Sequence, residues 1–562
     1  MPPPDTRDRV LTWAIIAGTA LLLVAIAPAM QLWDRDEPLY ARIAVEMLRS
    51  GQWLVPTFNG DVFADNKGPL GYWMMAVSIW LIGETAFAAR LPSVLGMTVA
   101  VAVTGAIARQ WCGLRTARWA MVVLATSASS VYLGAAALHD AVLLATITVM
   151  FWAWLRLRSG HGVWGPLCWL AGALALSLLA KGPVGPAIFG SVVGVTWLAR
   201  SHDEQPTRTE VLAVGAAAII ALGLFLTWAI PANTVSGGRL WREGVGVGIV
   251  GQALAPRQGH GGTSLLGYLL TLPFYVPVVV GGLLPWAIDL LPALVAAGRR
   301  RLIAGSHRVV ILAWIATTFG LFTLAVTKLP HYVFPLFPAA AILLAAYHTD
   351  AAPMAGRARP RLERVSDGVY GVLMAGLVIA LIGVAWWLST PGALGLAAAI
   401  AGTTVVFLRW RHQGHRRRAH ILASVGMPLC VVLAYWGVAP AVETVTKSAG
   451  AIALTIRTAG HADLPVLADS RVPPSVIFEL RRRPEAPVEQ LPDSAAEALA
   501  RLEHLAEAVL IIDEAPYDTM AAMAGPHRLE VLSRHTALDI NQAARRTVRV
   551  VAHWQNDRRE SR

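Results

Sequence analysis

Charge is scarce in this chain. Asp, Glu, Lys and Arg make up 15% of its 562 residues, hydrophobic residues make up 56%, and the mean hydropathy is +0.54. A soluble globule cannot hide that much apolar surface, so the expectation is an α-helical polytopic membrane protein. Cysteine is nearly absent. Of three, Cys112 lies in a short basic loop, and Cys168 and Cys430 lie inside apolar runs, so no disulfide framework can be argued and redox chemistry is not expected. A glycine-rich nucleotide cradle is missing, as is a spaced metal-binding acid motif, and no segment repeats another. The formal charge of +12 does not point to nucleic acid. Its arginines sit in short clusters between apolar runs, as topology signals do, and no nucleic-acid partner is expected.

What the chain has is apolar runs of bilayer length. The first, 10–30, follows Arg7 and Arg9 but is long for a signal-peptide core. It reaches the polar cluster Asp34-Arg35-Asp36-Glu37 without a convincing cleavage site, so it reads as a retained span. Further spans are expected near 91–108, 119–135, 141–155, 164–179, 184–199, 210–230, 266–297, 309–326, 332–347, 369–389, 393–408 and 421–440, which gives about thirteen. The run 69–83 is short for a bilayer and interrupted by glycine. If it lies in the interface, the clusters Arg109/Arg115/Arg118, Arg156/Arg158, Arg200/Arg208, Arg299/Arg300/Arg301, 357–364 and 409–418 all fall on the side of the N-terminus, the positive-inside pattern. The N-terminus is then cytoplasmic.

This topology leaves outside the loop 31–90, the Leu138-His139-Asp140 turn, Lys181-Gly182-Pro183, the loop 231–265, Lys328 to His331, and the tail. Nearly every unusual polar residue lies in these segments, so the active face is expected to be external. Residues 1–446 form the expected transmembrane domain. Residues 447–562 are expected to form a small external α/β domain, because the short runs at Pro465, Ser475 and Ala508 alternate with the helix-patterned 495–508.

Asp36 and Glu37 stand at the exit of the first span, where acids need solvent or partners. They read as a general base or an acceptor-orienting carboxylate, or else as loop acids with Glu37 and Arg42 in a surface pair. Asp140 offers a second carboxylate or a helix cap. Lys67, Lys181 and Lys328 each adjoin glycine- or proline-rich sequence that exposes backbone N–H groups, as phosphate held at a membrane surface requires. Snorkelling anchors are the alternative reading, yet the inside loops use almost only arginine. His331 and Tyr332 follow Lys328 at the mouth of an apolar helix. His260, in Gln258-Gly-His-Gly-Gly, reads as an exposed loop histidine or as a metal or phosphate ligand.

Several spaced motifs together carry a resemblance. They are Asp36-Glu-Pro-Leu-Tyr-Ala-Arg, Gly51-Gln-Trp-Leu-Val-Pro, Lys67-Gly-Pro-Leu-Gly-Tyr-Trp, Phe87-Ala-Ala-Arg-Leu-Pro, Lys181-Gly-Pro-Val-Gly, Gly259-His-Gly and Lys328-Leu-Pro-His-Tyr-Val. In this order they resemble the aminoarabinose transferase family, related to protein mannosyltransferases, and the match spans most of the chain. The resemblance implies a C-type glycosyltransferase fold in the bacterial inner membrane, with the active site facing the periplasm. It implies transfer of a sugar (aminoarabinose-like, hexose or uronic acid) from a polyprenyl-phosphate donor to lipid A, lipopolysaccharide or another glycan. Asp36, Glu37 and Asp140 are the expected catalytic set. Lys67, Arg42, Lys181, Lys328, His331 and Tyr332 are the expected donor-phosphate set. Family members tend to carry a carboxylate directly before the loop lysine, and some are thought to bind a divalent metal there with a loop histidine. Here Asn66 holds that place and Asp65 lies one residue back, so an Asp65–His260 metal site is an option rather than a requirement.

The rival class is a transporter or lipid flippase, which many glycine- and proline-broken spans would suit. Such a protein would place charge near mid-membrane. Here the apolar runs are almost free of it, which favours chemistry at the interface.

Overall fold

The computed structural model describes residues 6–33, 36–64, 67–199, 205–244, 265–299, 302–303, 305–350, 361–470, 472–481, 486–524, 528–539 and 545–556. Lipid offers no partner for backbone N–H and C=O groups, so the long apolar runs become helices. Ten described helices are long and apolar enough to cross a membrane, and a pair bent by 116°, Leu266–Gly282 with Trp286–Gly298, makes up to eleven. The expected count of about thirteen differs for two reasons. Val184–Leu198 has only 15 residues. Ala86–Thr126 counts as one helix of 41 residues although Gly113 breaks it with φ 82° and ψ 176°. Gly105 packs against the Met121 thioether, and a straight helix would hold those residues about 24 Å apart. The chain therefore folds back at Gly113, and the Arg109–Arg118 stretch forms the turn.

The loop 31–90 is ordered around an amphipathic helix, Asp36–Ser50, whose buried face includes Tyr40, Ala41, Ala44 and Met47. After it come a two-strand hairpin, Thr57–Phe58 with Asp61–Val62, and the helix Leu70–Ile82 of 13 residues, about 20 Å long. Glu46 holds the hairpin. It accepts from the Thr57 hydroxyl at 3.0 Å and from the backbone N–H of Asn59 and Gly60 at 2.8 and 3.2 Å.

Beyond Ser448, a five-stranded sheet runs in the order Glu489–Gln490, Val466–Ala468, Glu507–Asp513, Arg545–Gln555, Leu529–Asp539. The first two pairings are parallel and the last two antiparallel. Ser475-Val-Ile-Phe, expected as an extended run, is instead inside the helix Pro474–Leu480. Pro474 at its first turn presets φ and lacks the N–H that would have gone unused there. The helix expected over 495–508 ends at Leu502, and Glu507 opens a strand.

The sheet and the 31–90 loop grip each other. Asn59 Nδ2 donates to the Val488 carbonyl at 2.7 Å, and Val488 N–H donates to Asn59 Oδ1 at 2.9 Å. Arg49 donates to the Arg481 carbonyl, and the Gln31 N–H donates to Glu443 at 2.7 Å. Loop 31–90 and the tail thus lie on one side of the helix bundle.

Candidate active site

Two helix ends set the centre. Asp140 is the first residue of Asp140–Arg158 and Lys181 the last of Trp164–Lys181. The helix dipoles favour an anion at the first place and a cation at the second. Both side chains are buried, and Lys181 Nζ donates to Asp140 Oδ1 at 2.7 Å. His139, not Asp140, holds the N-cap position, so the capping alternative gives way to a buried ion pair. The Tyr332 ring lies under Lys181, its centroid 5.0 Å from the ammonium.

The loop carrying Lys67 reaches the same place by close packing. Gly68 presses on the Leu179 backbone and Gly71 on the His139 imidazole, each so near that a Cβ would sit well inside van der Waals distance. His139 in turn stands edge-on to Tyr40 and Tyr72, with centroids 5.0 and 4.8 Å away. Lys67 rests over the other partner of this cluster, 5.0 Å from the Tyr40 ring centroid. His331 is half-buried where the charges of Asp140, Lys181, Asp36 and Lys67 all act on it. Asp36, at the head of its helix, is exposed and forms the open rim. The structure therefore brings together Asp36, Lys67, Asp140, Lys181, His331 and Tyr332 from five separate segments.

Glu37 and Arg42 depart from expectation. The surface pair between them is not formed. Glu37 accepts from Arg90 Nε at 2.9 Å and Nη2 at 2.7 Å, and from the N–H groups of Trp33 and Ala137 at 2.6 and 2.5 Å. Burial pushes its carboxyl up, but the Arg90 charge and these four donors outweigh that and hold it below its ordinary value of 4.5. With its oxygens so occupied, Glu37 is a positioning carboxylate and not a proton acceptor. Arg90 extends the clamp to the carbonyls of Ala27, Met30 and Gln31, which fixes the end of the first helix to the start of the loop. Arg42 Nε pairs instead with Glu46 at 2.7 Å, one turn along its own helix.

Lys328 also departs. Its ammonium donates to the carbonyls of Thr323 and Ala325 at 2.6 and 2.8 Å, capping the end of Gly305–Leu324, and faces the rings of Tyr268 and Tyr275. Burial lowers its pKa from the usual value. This is a helix-end lysine bound to its own backbone, unlike Lys67 and Lys181, which face the Asp140 centre. Asp65 and His260, the optional metal pair, lie outside the described residues.

Sequence reasoning missed the Arg90 clamp and the aromatic seat of His139. The signals were present: an arginine inside the apolar Phe87-Ala-Ala-Arg-Leu-Pro, and a histidine immediately before the singled-out Asp140.

A family model described as dolichyl-phosphate-mannose-protein mannosyltransferase matches residues 66–230. An undecaprenyl phosphate-α-4-amino-4-deoxy-L-arabinose arabinosyl transferase of Serratia proteamaculans is 28% identical over 371 residues, 64% of each chain. The chain thus spans somewhat under two thirds of that relative's length. The enzyme of the same name from an Enterobacter species is 27% identical over 484 residues, 83% of each chain. Among solved structures, ArnT from Cupriavidus metallidurans bound to undecaprenyl phosphate superposes with a TM-score of 0.75 at 20% identity, covering 96% of this chain and 97% of that one. The helix bundle with its ordered first loop is accordingly the C-type glycosyltransferase fold of a multi-pass membrane protein. Over much of its length the chain is similar to undecaprenyl phosphate aminoarabinose arabinosyl transferases, and over residues 66–230 to the protein mannosyltransferases.

Proposed function

We propose that the protein transfers an aminoarabinose-like sugar from an undecaprenyl-phosphate donor to a lipid A-type acceptor, at a site facing the periplasm of the bacterial inner membrane. The observation that carries this reading is the convergence of Lys67 and Lys181 with Asp36 and Asp140 at one membrane end of the bundle, beside the exposed rim. The names of the similar enzymes supply the sugar, the lipid carrier and the arabinosyl transfer; lipid A as acceptor comes from the sequence resemblance.

In the reaction the bond between the anomeric carbon and the phosphate oxygen breaks and a bond from that carbon to an acceptor oxygen forms. The leaving group is a polyprenyl phosphate, which gains negative charge as it departs. Lys67 and Lys181, each fixed against a tyrosine ring, would meet that charge. An ammonium already held in place needs little reorganisation, and one well-placed donor is worth about 3–4 kcal/mol. Asp140 holds Lys181 in place and keeps the empty site near neutrality. A hydroxyl acceptor would give its proton to Asp36, the one acid of the group that is open to solvent. A phosphate acceptor has no such proton to give, and Asp36 would only orient it. No step in this account requires a metal.

The test compares lipid extracts by mass spectrometry from cells with and without the protein, followed by transfer with purified protein and undecaprenyl-phosphate aminoarabinose. A pentosamine-sized mass increment on lipid A that depends on the protein is expected. Unchanged lipids together with no transfer in vitro would overturn the reading, and movement of the intact donor across vesicles without transfer would support the flippase class instead.

A further inference from the structure

At the far end of the bundle lies a second polar centre that the transfer chemistry does not use. Asp289 stands at the end of a short 3-10 turn, His348 near the end of Phe337–Asp350, and His420 in Arg416–Leu433. His331 and His348 flank opposite ends of one helical segment, Pro330–Thr349, which puts this centre roughly 25–30 Å from the lysine site. Their side chains are almost wholly buried, and one ligand atom from each lies within 4.8 Å of the others.

Hydrogen bonding alone accounts poorly for this arrangement. Arg411 holds Asp289 bidentately, Nη1 to Oδ2 at 2.9 Å and Nη2 to Oδ1 at 2.8 Å. Both imidazole Nε2 atoms then converge on the same Oδ2, at 3.1 Å for His348 and 3.3 Å for His420. A carboxylate oxygen offers about two lone pairs, so with a proton on each Nε2 three donors would compete for two places, and without those protons the nitrogens would face the oxygen lone pair to lone pair. The two nitrogen-to-oxygen spacings do match something else. In a tetrahedral zinc site with bonds of about 2.0–2.1 Å, neighbouring ligand atoms stand about 3.3 Å apart.

Charge points the same way. Arg411 also donates to Asp367 at 3.0 Å, so one guanidinium faces two buried carboxylates. The nearby Glu363 is balanced by its own partner, Arg416. Asp289, the carboxylate between the two imidazoles, is thus buried beside a second acid, a dry setting in which a cation is favoured. The walls are aromatic. Trp119 and Trp286 stand edge-on or tilted to both histidines, with centroids 5.7–6.2 Å away.

We propose that Asp289, His348 and His420 bind a divalent zinc-type ion, with Arg411 orienting the carboxylate from behind. Two imidazoles and one carboxylate suit zinc and its late first-row neighbours rather than magnesium or calcium. The ion is structural. It fastens the helices 361–388, 391–412 and 416–433, through Asp367, Arg411 and His420, to the helices that carry the transfer site.

The test uses the full-length protein purified in detergent through a tag without histidines, in a His260→Ala background so that a loop metal does not enter the count. About one zinc per chain is expected by elemental analysis. Replacement with cobalt should give visible ligand-field absorption from a site with nitrogen ligands. EDTA should lower the unfolding temperature by at least about 3 °C and zinc should restore it. His348→Ala and His420→Ala should each abolish the cobalt spectrum, while His161→Ala, on an exposed loop, should leave it intact. Two results would overturn the proposal without relying on a variant that folds: no cobalt absorption in the parent protein, or an unfolding temperature that ignores zinc and EDTA but titrates with histidine-like pH dependence, which would assign the cation to a shared proton.

Discussion

At the residue scale the structure separates five charged side chains, two aspartates and three lysines, that look alike in sequence. Asp36 is open to solvent, whereas Asp140 is spent on Lys181, so their amide variants should fail differently. Asp36→Asn is expected to lower kcat by roughly 10²–10⁴-fold with a hydroxyl acceptor while donor binding stays near normal. Asp140→Asn should weaken donor binding as well, because it releases Lys181. Full activity of Asp36→Asn beside a dead Asp140→Asn would move the proton transfer to Asp140. Among the lysines, Lys67→Met and Lys181→Met are each expected to weaken undecaprenyl phosphate binding about tenfold or more, as loss of a charge-assisted contact of about 1.5–3 kcal/mol implies. Lys328→Met should leave that affinity intact and lower the unfolding temperature instead, as measured by lipid titration and thermal melts of the same preparations. Sequence placed the three lysines on one side of the membrane but could not separate them. The distinction rests on where each flexible stem ends, and for Lys328 the nearest acceptors are carbonyls three and five residues back along its own chain.

At the scale of elements, the first loop and the far end of the bundle are each held by a buried ion pair that no local pattern announces. Glu37 and Arg90 meet across 53 positions of sequence, and Asp289 and Arg411 across 122. Helix periodicity reports which face is apolar but not which distant charge will be buried beside it. That is why the short apolar run near 69–83 was legible while the fastening of the loop around it was not. Removing one partner of a buried pair leaves the other unpaired, so Glu37→Gln is expected to destabilise the fold by about 3–5 kcal/mol. The sign with pH follows from the lowered pKa. The stability contributed by Glu37 is present above its ordinary value of 4.5 and is lost as pH falls through the still lower value of the folded state. Thermal melts from pH 7 down to about 3 should show the parent protein losing that increment while Glu37→Gln, already weaker at pH 7, shows a flatter acid limb. Equal melts for the two proteins at pH 7 would refute the clamp.

Across the whole molecule, composition and arginine placement were enough to locate most membrane helices and to gather the reactive segments on one side. The contacts of loop 31–90 with Glu443, Arg481 and Val488 agree with that grouping. The span count was less legible, because the turn at Gly113 is too tight to separate two helices and the Val184–Leu198 helix is short. Orientation remains a prediction. A cysteine placed at the exposed Arg115 should resist a membrane-impermeant thiol reagent in intact spheroplasts and react once the membrane is opened, with Cys112 replaced beforehand. Labelling from outside would invert the topology. The grip of Asn59 on Val488 also has a bearing on the order in which the protein is made. The two residues are 429 positions apart. At about 5–20 residues per second of synthesis, the loop emerges roughly 20–90 s before its partner exists. During that interval the hairpin has Glu46 to fold on but no sheet to rest against, so loop 31–90 cannot take its final packing until Val488 has been made. A newly inserted chain is thus kept waiting by its own timetable, and chains broken off before Val488 would hold the helix bundle while the first loop lacked its far support.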